Sequence, residues 1–281
     1  MTATYQPGRV AVWSPEGELI RLMGNGDGEG PGEFRYVPSM VVGADSVVNI
    51  FPGLPHWHRY SWSGEFVKTI RAPAVGGLGE AAIGPDGVLV AKTQGPEGAL
   101  LVLWRPGSEV RIVDGSFNTD GFGWGWISAS REMGLWSAVH SRYTIRRHAL
   151  PSGAVDFEIH RPVDWFRSND RGNDESVPIV FRLIVDDRGL LWIWTNVPDP
   201  NAPSAPRPRA DSPDDADYLD IVNRYRDYVL EVMSTDGKLI ASRRYDRAQD
   251  VVSGVAADVW VRTEDDLLRS LTIVEPILVR R

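Results

Sequence analysis

The 281-residue chain contains no cysteine. That absence removes disulfides, thiolate nucleophiles and cysteine-ligated zinc together, and leaves the redox compartment open. No apolar run approaches the roughly eighteen residues that a membrane-spanning helix needs, so membrane insertion is not expected. The opening stretch, Met1-Thr-Ala-Thr-Tyr-Gln-Pro-Gly, has no charged-then-apolar segment and does not read as a signal peptide. Basic surplus is missing too. Lys and Arg number 30 against 38 Asp and Glu, for a net charge of −8, which argues against nucleic acid as a partner. There is no Gly-x-Ser-x-Gly elbow for a serine nucleophile, and no Gly-Lys-Ser/Thr follows the glycine-rich stretch, so a P-loop is excluded. What the chain does have is 42% hydrophobic residues, enough for a globular core, and eleven tryptophans, rings suited to wedging between twisted sheets.

It also has a repeat. Glycine-marked turns, each flanked by short alternating strands, recur at Gly17, Gly64, Gly107, Gly153 and Gly237. The first three intervals are 47, 43 and 46 residues, and the last, 84, is nearly two periods. A second set of turns runs between them: Ala44-Asp45, Gly84-Pro-Asp-Gly87, Arg131-Glu-Met-Gly134, Asp186-Asp-Arg-Gly189 and Ala257-Asp258. Its first three members precede Gly64, Gly107 and Gly153 by 19, 20 and 19 residues. Strand-length apolar pieces such as Val47-Val-Asn-Ile-Phe and Leu190-Leu-Trp-Ile-Trp surround these turns. A period of roughly 40–50 residues with strand patterning predicts an all-β β-propeller of four-stranded antiparallel blades. With strands lettered a to d from the centre outward, the second set is the a–b hairpins and the first the c–d hairpins.

In such a meander the a–b and c–d turns share one end, and the b–c turns and d–a crossovers share the other. The long segments, 25–36, 52–58, 117–126, 164–178 and 198–225, all fall at that other end, where binding residues are expected. The spacing from Gly189 to Gly237 is 48 residues, which marks an insertion in one b–c loop at about 198–225. Ser212-Pro213 within it has the form of a helix N-cap followed by proline. Residues 9–14 and 18–23 read as strands c and d without their a and b. The expectation is a single domain over 1–281, six-bladed with an incomplete first blade, the alternative being five blades and a spare strand. A spare strand would leave an unpaired edge.

Gly24-Asn-Gly-Asp-Gly-Glu-Gly-Pro-Gly-Glu-Phe is the conspicuous local segment. Asn25-x-Asp27-x-Glu29-Gly30 has the beginning of a calcium loop, but Tyr36 stands where the loop needs its last glutamate. The simpler reading is a tight d–a crossover with Phe34 plugged between blades. Gly28-Glu-Gly-Pro-Gly-Glu-Phe, together with Tyr228–Ser242, resembles the bacterial six-bladed β-propeller proteins related to NHL repeats. The resemblance implies an extracytoplasmic location and a start site placed late within the first blade. It carries over no catalytic residue.

His56-Trp-His58 puts two imidazoles on one face if extended, and His140 lies in the equivalent region two blades on. With a third ligand these could hold calcium or zinc, although packing accounts for the pair as well. Trp57, Trp124, Trp126, Trp165 and Phe166 fall in the same set of loops. The candidate ligand-binding residues are Trp57, Arg59, Trp124, Trp126, Arg142 and Tyr218. The leading expectation is therefore a non-catalytic binding or scaffold propeller with no cofactor, recognising a protein, peptide or glycan. The alternative is a metal-assisted hydrolase or lactonase at the central channel, with His56, His58 or His140 and nearby carboxylates as ligands.

Overall fold

The computed structural model describes residues 2–6, 8–14, 18–35, 37, 39–43, 45–72, 77–95, 98–114, 125–130, 132–139, 143–166, 178–186, 188–201, 226–245, 253–256, 259–265 and 270–274. These residues are nearly all β, in six antiparallel sheets, none of which closes on itself. Sheet I is β1 (Thr2–Gln6), β2 (Arg9–Trp13) and β3 (Leu19–Met23). Sheet II is β4 (Ser39–Val42), β5 (Val48–Phe51), β6 (His56–Tyr60) and β7 (Phe66–Arg71). Sheet III is β8 (Leu78–Ile83), β9 (Leu89–Gly95), β10 (Gly98–Trp104) and β11 (Arg111–Asp114). Sheet IV is β12 (Gly125–Ser130), β13 (Gly134–Val139), β14 (Thr144–His148) and β15 (Val155–His160). Sheet V is β16 (Ile179–Val185), β17 (Leu190–Pro198), β18 (Arg226–Ser234) and β19 (Leu239–Tyr245). Sheet VI is β20 (Ser253–Ala256), β21 (Val259–Asp265) and β22 (Ser270–Val274).

The turn glycines predicted from the repeat are there for a backbone reason. Gly64, Gly107, Gly153 and Gly237 sit at φ of 94°, 82°, 79° and 87°, and Gly87, Gly134 and Gly189 at 69°, 83° and 80°. A side chain is disfavoured in that region, so the repeat seen in the sequence is a repeat of left-handed turn positions. Backbone hydrogen bonds close the turns, including Ser61 N to Glu65 O (2.8 Å), Gly84 N to Val88 O (2.8 Å) and Ser234 N to Lys238 O (3.0 Å).

Sheet I differs from the sequence reading, which gave residues 9–23 only two strands. β1 adds a third, paired with β2 from Thr2↔Trp13 to Gln6↔Arg9. Thr-Ala-Thr-Tyr-Gln lacks the apolar alternation used to find the other strands, but threonine and tyrosine favour extended backbone. Gly8, at φ +72°, reverses the chain into β2.

Two compact units divide the chain. The first comprises 1–119, 129–135 and 148–155, and the second 120–128, 136–147 and 156–281. The first unit has two apolar clusters. One gathers Val10, Val12, Met23, Phe34, Val48, Ile50 and Tyr60, the other Phe51, Trp57, Leu78, Leu89, Val102 and Trp104. In the second unit Ile184, Trp192, Trp194, Leu230 and Val232 pack on sheet V. Tryptophan is thus chiefly core material. Full burial of one such side chain contributes about 3 kcal/mol, by the usual area scaling.

Candidate functional site

The glycine-rich segment between β3 and β4 is the most fully specified connection among the described residues. It folds back on itself through Asn25 N to Gly32 O (2.8 Å), Phe34 N to Gly26 O (3.1 Å) and Glu33 N to Gly30 O (3.0 Å). Asn25 Nδ2 donates to Pro31 O (2.9 Å), and Gly30 N donates to Glu33 Oε2 (3.0 Å). Gly24 and Gly26 have φ of +117° and +130°. A Cβ on Gly24 would lie 2.4 Å from Gly8 O and 2.8 Å from the Phe34 ring. Glycine is therefore required here by close approach as well as by dihedral angle. Phe34 anchors the end of the loop in the core, as expected from the sequence.

Two side chains from β6 tie this loop to sheet II. Tyr60 donates its hydroxyl to Gly32 O (2.6 Å), and burial pushes the phenol well above its ordinary pKa, so it acts as a neutral donor. His58 is 1% exposed; its Nε2 is 3.0 Å from Glu33 O and its Nδ1 is 3.0 Å from Thr69 Oγ1. A carbonyl can only accept, so Nε2 carries a proton and donates to it. Asp27, Glu29, Pro31 and Arg35 are left facing solvent, with Arg35 Nε 3.5 Å from Asp27 Oδ1.

The histidine pair does lie on one face, with ring centroids 4.9 Å apart. The face belongs to a strand, since 56–60 is β6 and the preceding connection is only 52–55. His58 already has both ring nitrogens engaged, while His56 Nε2 is buried with no hydrogen-bond partner. Burial lowers the pKa of both rings. Arg71 lowers His56 further while Glu29 raises it, and for His58 the effect of His56 is opposed by the Glu33 carbonyl. No group of three or more metal-ligating side chains occurs among the described residues.

The candidate ligand residues on β6 point elsewhere. Trp57 is fully buried, stacked 5.8 Å from Phe51 and edge-on to Trp104 at 5.6 Å. Arg59 is 5% exposed, ion-paired with Asp45, and its guanidinium sits 4.8 Å above the Trp104 ring. Strand alternation puts both inside. Trp126 is half-buried and donates its indole N–H to Val180 O (3.0 Å). Trp124, Arg142, Tyr218 and His140 lie outside the described residues, as does the expected helix start at Ser212.

A second polar cluster, not singled out from the sequence, lies in the second unit. Glu231 on β18 is 1% exposed, accepts the Tyr143 hydroxyl on Oε2, and has Arg161 Nη1 3.2 Å from Oε1. Burial, then the Glu231 charge, raise the Tyr143 pKa far above the usual phenol value, with Arg161 opposing. Trp165 and Phe166 pack on Tyr143 with centroid separations of 5.5 Å and 5.3 Å. The signal available in the sequence was a glutamate within the apolar run Tyr-Val-Leu-Glu-Val-Met.

No family model matches the chain, and no curated protein matches it. Solved structures do resemble it. A member of the DUF4221 family from Bacteroides vulgatus is similar with a TM-score of 0.63 at 9% identity, over 95% of this chain and 86% of that one. A streptogramin B lyase structure gives a TM-score of 0.51 at 11% identity, over 97% of this chain and 77% of the other. A catalytically inactive virginiamycin B lyase from Staphylococcus aureus, solved with quinupristin, gives 0.50 at 12% identity, over 97% and 78%. At such identities the likeness is one of fold: a nearly all-β, propeller-like architecture with several four-stranded antiparallel sheets.

Proposed function

We propose that the protein is a non-catalytic binding or scaffold module, which recognises a protein, peptide or glycan through the ends of its sheets that carry the long connections. The reading takes the six sheets as blades of one propeller related to NHL-repeat proteins. The observation that carries it is the loop 25–35. Its glycines, its own hydrogen bonds and the His58 and Tyr60 anchors hold it in one shape, and its solvent-facing side chains, Asp27, Glu29 and Arg35, take no part in that anchoring. A recognition loop ordered beforehand does not lose that freedom again on binding, which favours affinity.

The opposite ends of the sheets are tight turns, and in one of them a buried carboxylate is spent internally. Asp186 accepts from Arg188 N (3.0 Å), Leu190 N (2.8 Å) and the Trp192 indole (3.2 Å). The test is binding of the full chain to peptide and glycan arrays, with Asp27→Ala, Glu29→Ala and Arg35→Ala variants alongside. Loss of the array signal without a change in thermal midpoint supports the reading. Elemental analysis of the purified protein serves the alternative. A stoichiometric calcium or zinc ion whose removal abolishes hydrolysis of a lactone panel would replace the binding reading with the metal-assisted one.

A further inference from the structure

The entrance of the loop 25–35 holds the one Asn-Gly dipeptide of the chain, Asn25-Gly26. Asparagine is among the chemically labile residues. Each of the other seven asparagines precedes a residue that bears a side chain, and Asn49 and Asn196 are further confined within β5 and β17. A following glycine is different, because it leaves its own amide nitrogen unshielded and its backbone free to move. Asn25 is exposed to solvent. Gly26 has open space where a side chain would stand, and among the described residues its N–H donates to no acceptor. An attacking nitrogen, a carboxamide and solvent water therefore meet here without obstruction.

We infer that Asn25 is a self-modification site, an amide whose hydrolysis through a cyclic imide unlatches the entrance of the loop. The Gly26 nitrogen bonds to Asn25 Cγ as the Cγ–Nδ2 bond breaks, and Nδ2 leaves as ammonia with the Gly26 proton. Water then opens the imide. Cleavage of the new bond to Cγ leaves aspartate at position 25. Cleavage of the original peptide bond leaves isoaspartate, with the main chain running through Cβ and Cγ. Water enters and ammonia leaves, so the reaction needs no oxidant, reductant or cofactor.

Both products act on the bonds that shape the loop. Asn25 Nδ2 donates to Pro31 O (2.9 Å), and a carboxylate has no proton to give in its place. Its charge also falls against that carbonyl oxygen, in a segment that already carries Asp27, Glu29 and Glu33. Isoaspartate further adds a main-chain atom between two ties, Asn25 N to Gly32 O (2.8 Å) and Phe34 N to Gly26 O (3.1 Å). The His58 and Tyr60 anchors hold Glu33 and Gly32, at the other end of the loop. Residues 25–31 therefore loosen while 32–35 stay held. The effect on recognition rests on the binding-module reading; the reaction itself does not.

The experiment ages the full chain at physiological temperature, at neutral and at mildly alkaline pH, beside Asn25→Gln and a free peptide covering residues 20–36. Peptide mass mapping, with enzymatic methylation of isoaspartyl carboxylates, follows the conversion. The expected result is a gain of one mass unit at position 25, several-fold faster than at any other asparagine. It should quicken with alkaline pH, because the attacking nitrogen must give up its proton. Amide exchange in the aged protein should quicken across 25–31 and stay near the fresh value across 32–35. Asn25→Gln, which would have to form a larger ring, should age without either change. Position 25 remaining intact in the folded chain after the free peptide has converted overturns the inference. Conversion with unchanged exchange across 25–31 overturns the unlatching. If conversion and faster exchange both occur and an array ligand still binds the aged protein, the modification stands, and the reading of 25–35 as the recognition loop falls.

Discussion

His58 and Glu231 occupy the same place in their respective sheets. Each lies on the third strand, three residues before the serine (Ser61, Ser234) whose N–H closes the following tight turn. Each is about 1% exposed, and each grips the segment that leads into its own sheet: His58 through Glu33 O, Glu231 through Arg161. The two solutions differ in chemistry. A neutral imidazole satisfies one carbonyl and one hydroxyl, whereas the carboxylate needs a guanidinium and a phenol. In both, a buried polar side chain holds the base of the connection that leads into its sheet.

Replacing His58 by phenylalanine keeps a ring in the core and removes both bonds. The Glu33 carbonyl then lacks its donor, so a loss of about 1–3 kcal/mol is expected. Urea denaturation gives the magnitude, and amide exchange gives the location. Exchange should quicken in residues 25–35 relative to β5 and β9. Uniform quickening across sheet II would mean that His58 supports the sheet and not the loop.

Glu231→Ala should cost more, about 3–5 kcal/mol, because it strands Arg161 and the Tyr143 hydroxyl against apolar surroundings. Tyr143→Phe leaves the Arg161–Glu231 pair intact and should cost roughly 1.5–3 kcal/mol, the scale for a hydrogen bond to a charged group. If Tyr143→Phe, which keeps the ring packed on Trp165 and Phe166 and loses only the hydroxyl, equals or exceeds Glu231→Ala in the same denaturation assay, the loss of Glu231 does not strand Arg161.

The turns and most strands were legible in the sequence because their cause is local. Gly64, Gly107, Gly153 and Gly237 mark left-handed backbone, and apolar alternation marks the flanking strands. Phe34 as a plug was legible for the same reason, a large ring ending a run of glycines. β1 was not, because Thr-Ala-Thr-Tyr-Gln carries no apolar periodicity and owes its pairing to the turn at Gly8. The environment of β6 was misleading. Trp57 and Arg59 sit beside prolines that suggest a loop, yet the strand begins at His56 and places both inside. The Glu231 cluster was invisible because its members are 88 and 70 residues apart in sequence, and only the fold brings them together.

Acid should weaken the first unit through its histidine pair. Burial holds His56 and His58 below the ordinary value of about 6.5, so the unfolded chain takes up protons before the folded one does. Stability from these groups is therefore complete above about pH 6.5, and is lost as pH falls from there through the folded-state values. Denaturation midpoints between about pH 7.5 and 5 should decline below about 6.5, ahead of the main carboxylate range. A His56→Phe/His58→Phe variant should be less stable at neutral pH and show a flatter profile. An unchanged slope would assign the acid sensitivity to other groups.

Gly24 and Gly26 separate steric from conformational demand within one loop. Both have φ beyond +100°, so alanine at either position is strained by about 1–3 kcal/mol. At Gly26 nothing lies within 4 Å of an added Cβ, so strain is the whole expected cost. At Gly24 the same methyl meets the Gly8 carbonyl oxygen and the Phe34 ring at 2.4 and 2.8 Å. Neither can yield cheaply, because Phe34 is buried and Gly8 sits in the turn that starts β2. Gly24→Ala should therefore exceed Gly26→Ala by about 1–3 kcal/mol, the usual range for overpacking. It should also disturb the Phe34 environment, which amide exchange across residues 32–35 reports, while Gly26→Ala leaves that exchange near wild type. Equal penalties with equal exchange would mean that the loop relaxes away from Gly8, and that its shape is set by the His58 and Tyr60 anchors alone.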